Sequence, residues 1–234
     1  MFAKMKKSGS TLVVGLALAF AGSAAHATVT YLEDTTGGSA IPGLTGYATS
    51  GAMMTGMSVT AMFSGGTNQT LAWAATGGAS GGVSGTGWGL SLNGDSWGGN
   101  WLFSITNPTG GMGQLTKLIL NGNSGYTVFD RTFTGAGTPG SASGWDFEFV
   151  SGYAGHATAT YSDIVSISPD PAVGDLFHML TIDFDDPQGG PVAGFAFVQD
   201  TDNDSRYGVP EPASLALLGL GLAGLAASRR RKLV

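Results

Sequence analysis

Glycine-separated runs of alternating apolar and polar residues constrain the fold of this chain most strongly. Forty of its 234 residues are glycine, and between them lie short runs such as residues 58–63, 157–161 and 194–198. Alternation with a period of two is typical of strands that bury one face. No window carries a sustained 3.6-residue period with helix caps. The pattern therefore predicts an all-β body of about ten to twelve short strands.

Further runs of the same kind lie at residues 101–105, 115–120, 146–150 and 176–184. Strands at this spacing predict an antiparallel β-sandwich or a jelly-roll-like body. The Gly/Ser-rich segment 76–85 predicts a flexible loop or a weakly ordered stretch instead. We expect one domain over residues 28–208, with two domains as the alternative.

Charge and cysteine content exclude several classes of function. The chain carries 10 basic and 16 acidic residues, a net charge of −6, and no cysteine. Between residues 28 and 208 only three bases stand against fifteen acids, which argues against a nucleic-acid partner. Without cysteine the chain forms no disulfides, thiolate zinc sites or cysteine nucleophiles.

Residues 1–27 have the layout of a secretory signal peptide. Lys4, Lys6 and Lys7 precede an apolar run at residues 12–20, and Ala25-His26-Ala27 forms a small-x-small cleavage signal. The apolar run is too short to span a bilayer, which needs about 20 residues. We therefore expect a signal helix that enters the Sec translocon, and a signal peptidase that cleaves after Ala27.

Residues 209–234 have a second tripartite layout. Pro210-Glu211-Pro212 is followed by an uncharged run at residues 213–227 and by the basic cluster Arg229-Arg230-Arg231-Lys232. As a helix the uncharged run rises roughly 22 Å, and snorkelling arginines help it to cover the ~30 Å hydrocarbon core. The pattern predicts a transmembrane helix. The basic cluster predicts a cytoplasmic C-terminus and a body on the other side of the membrane.

This C-terminal arrangement resembles a PEP-CTERM sorting signal, which is found in Gram-negative bacteria that make exopolysaccharide. The resemblance implies that an exosortase recognises Pro210, Glu211 and Pro212 and cleaves near them. It also implies a transient inner-membrane anchor, oriented by Arg229, Arg230, Arg231 and Lys232, and a final place at the cell surface or in the extracellular matrix. The alternative is a simple membrane anchor that is not processed.

An acidic segment closes the body. Asp200, Asp202 and Asp204 stand at alternate positions, as in the first half of an EF-hand loop. Ser205 and Pro212 stand where such a loop requires glycine and glutamate, so the segment is not an EF-hand. It predicts either part of a calcium site or a solvated turn. No other cofactor is expected.

No enzyme motif has the structural context that its chemistry requires. The nucleophile-elbow match at residues 78–82 and the dinucleotide match at 135–140 lack the strand and helix that should flank them. His156 and His178 are isolated in the sequence. We therefore expect a non-enzymatic, exosortase-processed structural protein of the surface or of an exopolysaccharide-rich biofilm matrix.

Two alternatives remain open. The first is a carbohydrate-binding module that uses exposed tryptophans, since aromatic faces pack on sugar rings. The second is a secreted polysaccharide hydrolase with a carboxylate pair such as Asp146 and Glu148, or Asp183 and Asp185.

Overall fold

A computed structural model describes residues 27–44, 49–106, 111–187 and 189–204. The predicted signal peptide up to His26 and the predicted sorting region therefore lie outside the described residues. The described chain is built of strands in two sheets, with two short 3-10 helices at Gly51–Met54 and Asn123–Gly125. The all-β prediction is confirmed.

The larger sheet has nine strands, and its main path runs in the order β1-β12-β13-β9-β3-β4. These strands are β1 (Thr28–Asp34), β3 (Ser58–Phe63), β4 (Asn68–Ala72), β9 (Leu115–Asn121), β12 (His156–Ile167) and β13 (Leu176–Asp183). Three short strands extend the sheet away from this path, namely β2 (Ser39–Ile41), β10 (Thr127–Asp130) and β15 (Asp200–Asn203). β10 pairs with both β13 and β15, so β15 is attached to the sheet through β10.

The smaller sheet has six strands, in the order β11-β14-β8-β7-β6-β5. They are β5 (Ala74–Ala75), β6 (Ser80–Ser84), β7 (Trp88–Asn93), β8 (Trp101–Ile105), β11 (Glu148–Ser151) and β14 (Phe195–Val198). Every pairing in this sheet is antiparallel.

Two pairings depart from the antiparallel expectation. β1 and β2 both run parallel to β12, with Thr28 opposite His156 and Ser39 opposite Val165. β12 is twelve residues long, so its edge accommodates both strands one after the other. Pairing direction depends on the path of the connecting chain, which hydrophobic alternation does not record.

The alternation seen in the sequence places the core between the two sheets. In β3 the residues Val59, Ala61 and Phe63 are buried while the residues between them are partly exposed. Buried side chains of both sheets belong to one hydrophobic cluster. Large aromatic rings fill it, with Trp101 5.4 Å from Trp73 and 5.6 Å from Phe197 between ring centroids.

The second half of the Gly/Ser-rich segment 76–85 is packed, and the prediction of a flexible loop is wrong for that half, whereas residues 76–79 are exposed and lie outside the strands. Ser80–Ser84 forms β6, in which Gly81, Gly82 and Val83 are buried. A Cβ atom on Gly81 would lie 2.0 Å from the carbonyl oxygen of Gly51. That oxygen accepts a hydrogen bond of 2.7 Å from the buried Trp73 indole. Glycine is therefore needed here for close backbone approach, which composition alone does not distinguish from flexibility.

Among the described residues, no helix is long and apolar enough to cross a membrane. The predicted transmembrane helix at residues 213–227 lies outside the part that the structure describes.

Candidate metal centre

β10 and β15 bring three carboxylates together. Their register places Asp130 opposite Asp200, and Asp202 lies two residues further along β15, opposite Val128. Residues two apart on a strand share a face, so Asp200 and Asp202 project from the same side. One carboxylate oxygen from each of Asp130, Asp200 and Asp202 lies within 4.8 Å of the others.

These three aspartates are buried, not solvated. Asp130 is 1% exposed, Asp200 4% and Asp202 0%. The prediction of a solvated turn is therefore wrong for Asp200 and Asp202, which lie in a buried strand. Asp204 follows that strand and is also buried, but its carboxylate is not one of the three that converge. Its role as a calcium ligand stays a prediction.

Few hydrogen-bond donors serve the cluster. The Ser141 hydroxyl lies 2.9 Å from Asp202 Oδ2 and 3.3 Å from Asp130 Oδ2, and its single proton can be donated to only one of them at a time. The Thr201 amide donates to Asp200 Oδ1 at 2.8 Å, and the Ser96 hydroxyl donates to the same oxygen at 3.0 Å.

Two oxygens of the cluster are left without a donor. Asp130 Oδ1 and Asp202 Oδ1 are buried and have no hydrogen-bond partner within the described part of the chain. A buried polar atom without a partner is costly, and a buried charge is far more so. The cluster is therefore incomplete unless a proton or a cation occupies it.

The raised pKa values of the three aspartates also indicate that the cluster disfavours three bare negative charges. Burial, and then the charges of Asp202, Asp200 and Asp175, raise the pKa of Asp130 to about 9. Burial also raises the pKa of Asp202 to about 7 and that of Asp200 to about 6. The charge of the exposed Asp95 contributes to both of these increases. Desolvation and like-charge repulsion thus act together against three ionised carboxylates.

Arg131 follows Asp130 in the chain but is engaged elsewhere. Its guanidinium donates to Asp146 Oδ1 at 2.9 Å and to Glu33 Oε1, and it lies 4.5 Å from the ring centre of Tyr161. This arrangement ties the end of β10 to β1 and β12. It gives Asp146 a role in an ion pair, and Asp183 has a comparable role with Lys117 at 2.8 Å.

The two histidines lie apart from the cluster. His178 is 2% exposed, and its Nδ1 lies 3.1 Å from the carbonyl oxygen of Thr127. His156 is partly exposed, and its two ring nitrogens lie 2.6 Å from Asp185 Oδ1 and 2.9 Å from Thr30 Oγ1.

The tryptophans divide into two groups. Trp73, Trp88 and Trp101 are buried in the hydrophobic core. Trp97 and Trp145 are 53% and 41% exposed, and their rings meet edge to face with centroids 6.2 Å apart. This aromatic pair adjoins the carboxylate cluster, because the Asp200 amide donates to the Trp145 carbonyl at 3.0 Å.

Sequence reasoning identified Asp200 and Asp202 but missed Asp130. Asp130 ends a short apolar run and has no acidic neighbour within several residues, so nothing in its local sequence indicates a ligand. Only the pairing of β10 with β15 brings it to the other two.

Comparison with known protein families identifies one region of the chain. Residues 208–232 match the family model described as the PEP-CTERM protein-sorting motif. No curated protein and no solved structure gives a match to the chain. The match contains Pro210, Glu211 and Pro212 and the basic cluster at residues 229–232, all outside the described residues.

The chain therefore carries a PEP-CTERM sorting motif. The motif implies an exported protein that has an exosortase as its processing partner and a transient C-terminal membrane anchor.

Proposed function

We propose that the body works outside the cell as a non-enzymatic structural protein of the surface or of an exopolysaccharide-rich matrix. The sorting motif at residues 208–232 carries this proposal, because such a motif implies export. It begins only a few residues after β15, so it would direct the export of the whole body. The body that it delivers is interpreted as a β-sandwich whose strands pack around one aromatic core.

The contacts of the polar side chains support a structural role. Asp146 and Asp183, each one member of a carboxylate pair considered for hydrolysis, form ion pairs with Arg131 and Lys117. The Arg131–Asp146 pair joins the end of β10 to the segment before β11, and the Lys117–Asp183 pair joins the neighbouring strands β9 and β13.

Intact-mass measurement of the extracellular form tests the proposed processing. Expressed with its exosortase, the chain is expected to begin at Thr28 and to end between Pro210 and Ala213. Without the exosortase, the N-terminus should be unchanged and the C-terminal tail should remain. Recovery of a mature surface form that still ends in Arg229-Arg230-Arg231 would overturn exosortase processing.

The exposed aromatic pair favours carbohydrate binding as a second candidate function. Trp97 and Trp145 present ring surface to solvent next to each other. Apolar ring faces of this kind stack on sugar rings. On a glycan array, Trp97→Ala and Trp145→Ala should each abolish binding, while Trp97→Phe should retain part of it because an aromatic face remains. If wild-type protein binds no glycan, this candidate is excluded and the structural role is unaffected.

A further inference from the structure

We propose that Asp130, Asp200 and Asp202 bind one calcium ion, which clamps β15, the last described strand before the sorting motif, onto the body. This inference goes beyond the proposed function and is independent of it, because it concerns a ligand of the folded body and not its destination.

The spacing of the carboxylates fits one shared ion. Calcium binds oxygen ligands at 2.3–2.6 Å, so two ligands of the same ion lie at most about 5 Å apart. The three ligand oxygens lie within 4.8 Å of one another. Three ionised carboxylates repel one another, so this close and buried approach requires a bound cation or a shared proton.

The unpaired oxygens indicate where the ion would bind. Asp130 Oδ1 and Asp202 Oδ1 belong to side chains that are at most 1% exposed, and neither has a donor among the described residues. Their Oδ2 atoms share the one hydroxyl proton of Ser141. A cation held by the two carboxylates would satisfy both free oxygens at once.

Within the described ranges, no basic side chain is placed to take the role of the ion. Lys117 and Arg131 are the lysine and arginine of the described ranges, and both are held in ion pairs away from the cluster. The buried Asp175 carboxyl is engaged by the amide and hydroxyl of Thr138, so it offers no donor to the cluster. Among the described residues, the cluster therefore holds several acidic groups and no basic side chain to neutralise them.

The chemistry of the ligand atoms determines which kind of cation the cluster prefers. Every ligand in the cluster is a carboxylate. Zinc prefers nitrogen and sulfur ligands, whereas calcium and magnesium prefer oxygen. Magnesium usually keeps several of its waters. Asp130 and Asp202 are almost fully buried and leave little room for them. Calcium, which accepts many protein oxygens in flexible geometry, fits better.

The position of the site gives the ion a structural consequence. Asp200 and Asp202 lie on β15, Asp130 lies on β10, and the Ser96 hydroxyl that contacts Asp200 follows β7 of the other sheet. β15 has no strand partner other than β10 within the described ranges. A bound ion would therefore fasten β15, the last described strand, to the rest of the sheet a few residues before the sorting motif begins.

Thermal unfolding of the full chain, purified in detergent, tests the proposal. Relative to EDTA, millimolar CaCl2 should raise the Tm by about 5 to 10 °C, because the ion binds only the folded state. MgCl2 at the same concentration should give a much smaller rise. Asp202→Asn and Asp130→Asn should each remove most of the calcium-dependent rise. The matched variant Asp170→Asn, in the turn after β12, should keep it.

The variants should also behave differently in EDTA. Asp202→Asn removes one of the charges that repel one another, so its Tm without calcium should be equal to that of the parent or higher. Calorimetric titration of the wild-type protein with CaCl2 gives a second measurement that needs no variant, and one ion per chain is expected. No binding at about 10 mM CaCl2, far above the weak extracellular class of sites, would overturn the proposal. So would an equal rise with calcium and magnesium that Asp202→Asn retains, since that indicates general screening of the acidic body.

Discussion

At the scale of single residues, glycine has two opposite meanings in this chain, and the structure separates them. Gly81 lies where two backbone segments and the Trp73 indole meet, so even a methyl group has no room. Gly78, three residues earlier, has nothing within 4 Å of the position that a Cβ atom would occupy. Within one Gly/Ser-rich segment, Gly81 is thus required for packing, whereas Gly78 is a surface position that tolerates a side chain.

Replacing each of these glycines by alanine tests this distinction. Gly81→Ala should lower the free energy of unfolding by about 3 kcal/mol or more, because the new methyl group would overlap the Gly51 carbonyl oxygen. Gly78→Ala should change it by less than about 1 kcal/mol, and a small gain is expected from the stiffer unfolded chain. Urea denaturation of both variants measures the difference. Equal effects would mean that β6 does not pack as described.

At the scale of elements, the alternation of apolar and polar residues predicted where strands lie, but not which strands pair or in which direction. The runs at 58–63 and 101–105 match β3 and β8 at both ends, since each has one face in the core and one outside. The parallel pairing of β1 and β2 with β12 was not predictable, because it depends on contacts more than a hundred residues apart. The convergence of Asp130 with β15 has the same origin. Local pattern records burial, whereas a site assembled from distant strands requires the topology.

The ion pairs of Arg131 and Lys117 differ in burial, and this predicts different contributions to stability. Arg131 joins β10 to Glu33 in β1 and to Asp146, and its side chain is 10% exposed. Arg131→Met should lower the free energy of unfolding by about 2 to 4 kcal/mol, because carboxylates lose their partner and the contact with Tyr161 loses its charge. Lys117→Met breaks a pair whose side chains are 35% and 36% exposed, so less than about 1 kcal/mol is expected. Chemical denaturation of both variants gives the comparison, and similar losses would contradict it.

At the scale of the whole molecule, the sorting motif and the body differ in how far the sequence alone reveals their function. The sorting motif is contiguous, so residues 208–232 could be recognised from order and composition alone. The body carries its information in a packed aromatic core and in a carboxylate cluster that forms only on folding. Export and the transient membrane anchor were therefore predictable from the sequence, whereas the carboxylate cluster of the body became visible only in three dimensions.

The basic cluster that ends the motif provides the last prediction. Four bases directly after the uncharged run 213–227 favour retention of that end on the cytoplasmic side. Changing Arg229, Arg230, Arg231 and Lys232 together to glutamine should weaken retention at the inner membrane, because the charges that resist translocation are gone. Fractionation of newly made protein measures this, and Arg206→Gln, which removes a base before the motif, should behave like the parent. If the quadruple variant is retained and trimmed as the parent is, then the apolar run alone holds the chain and the arginines do not orient it.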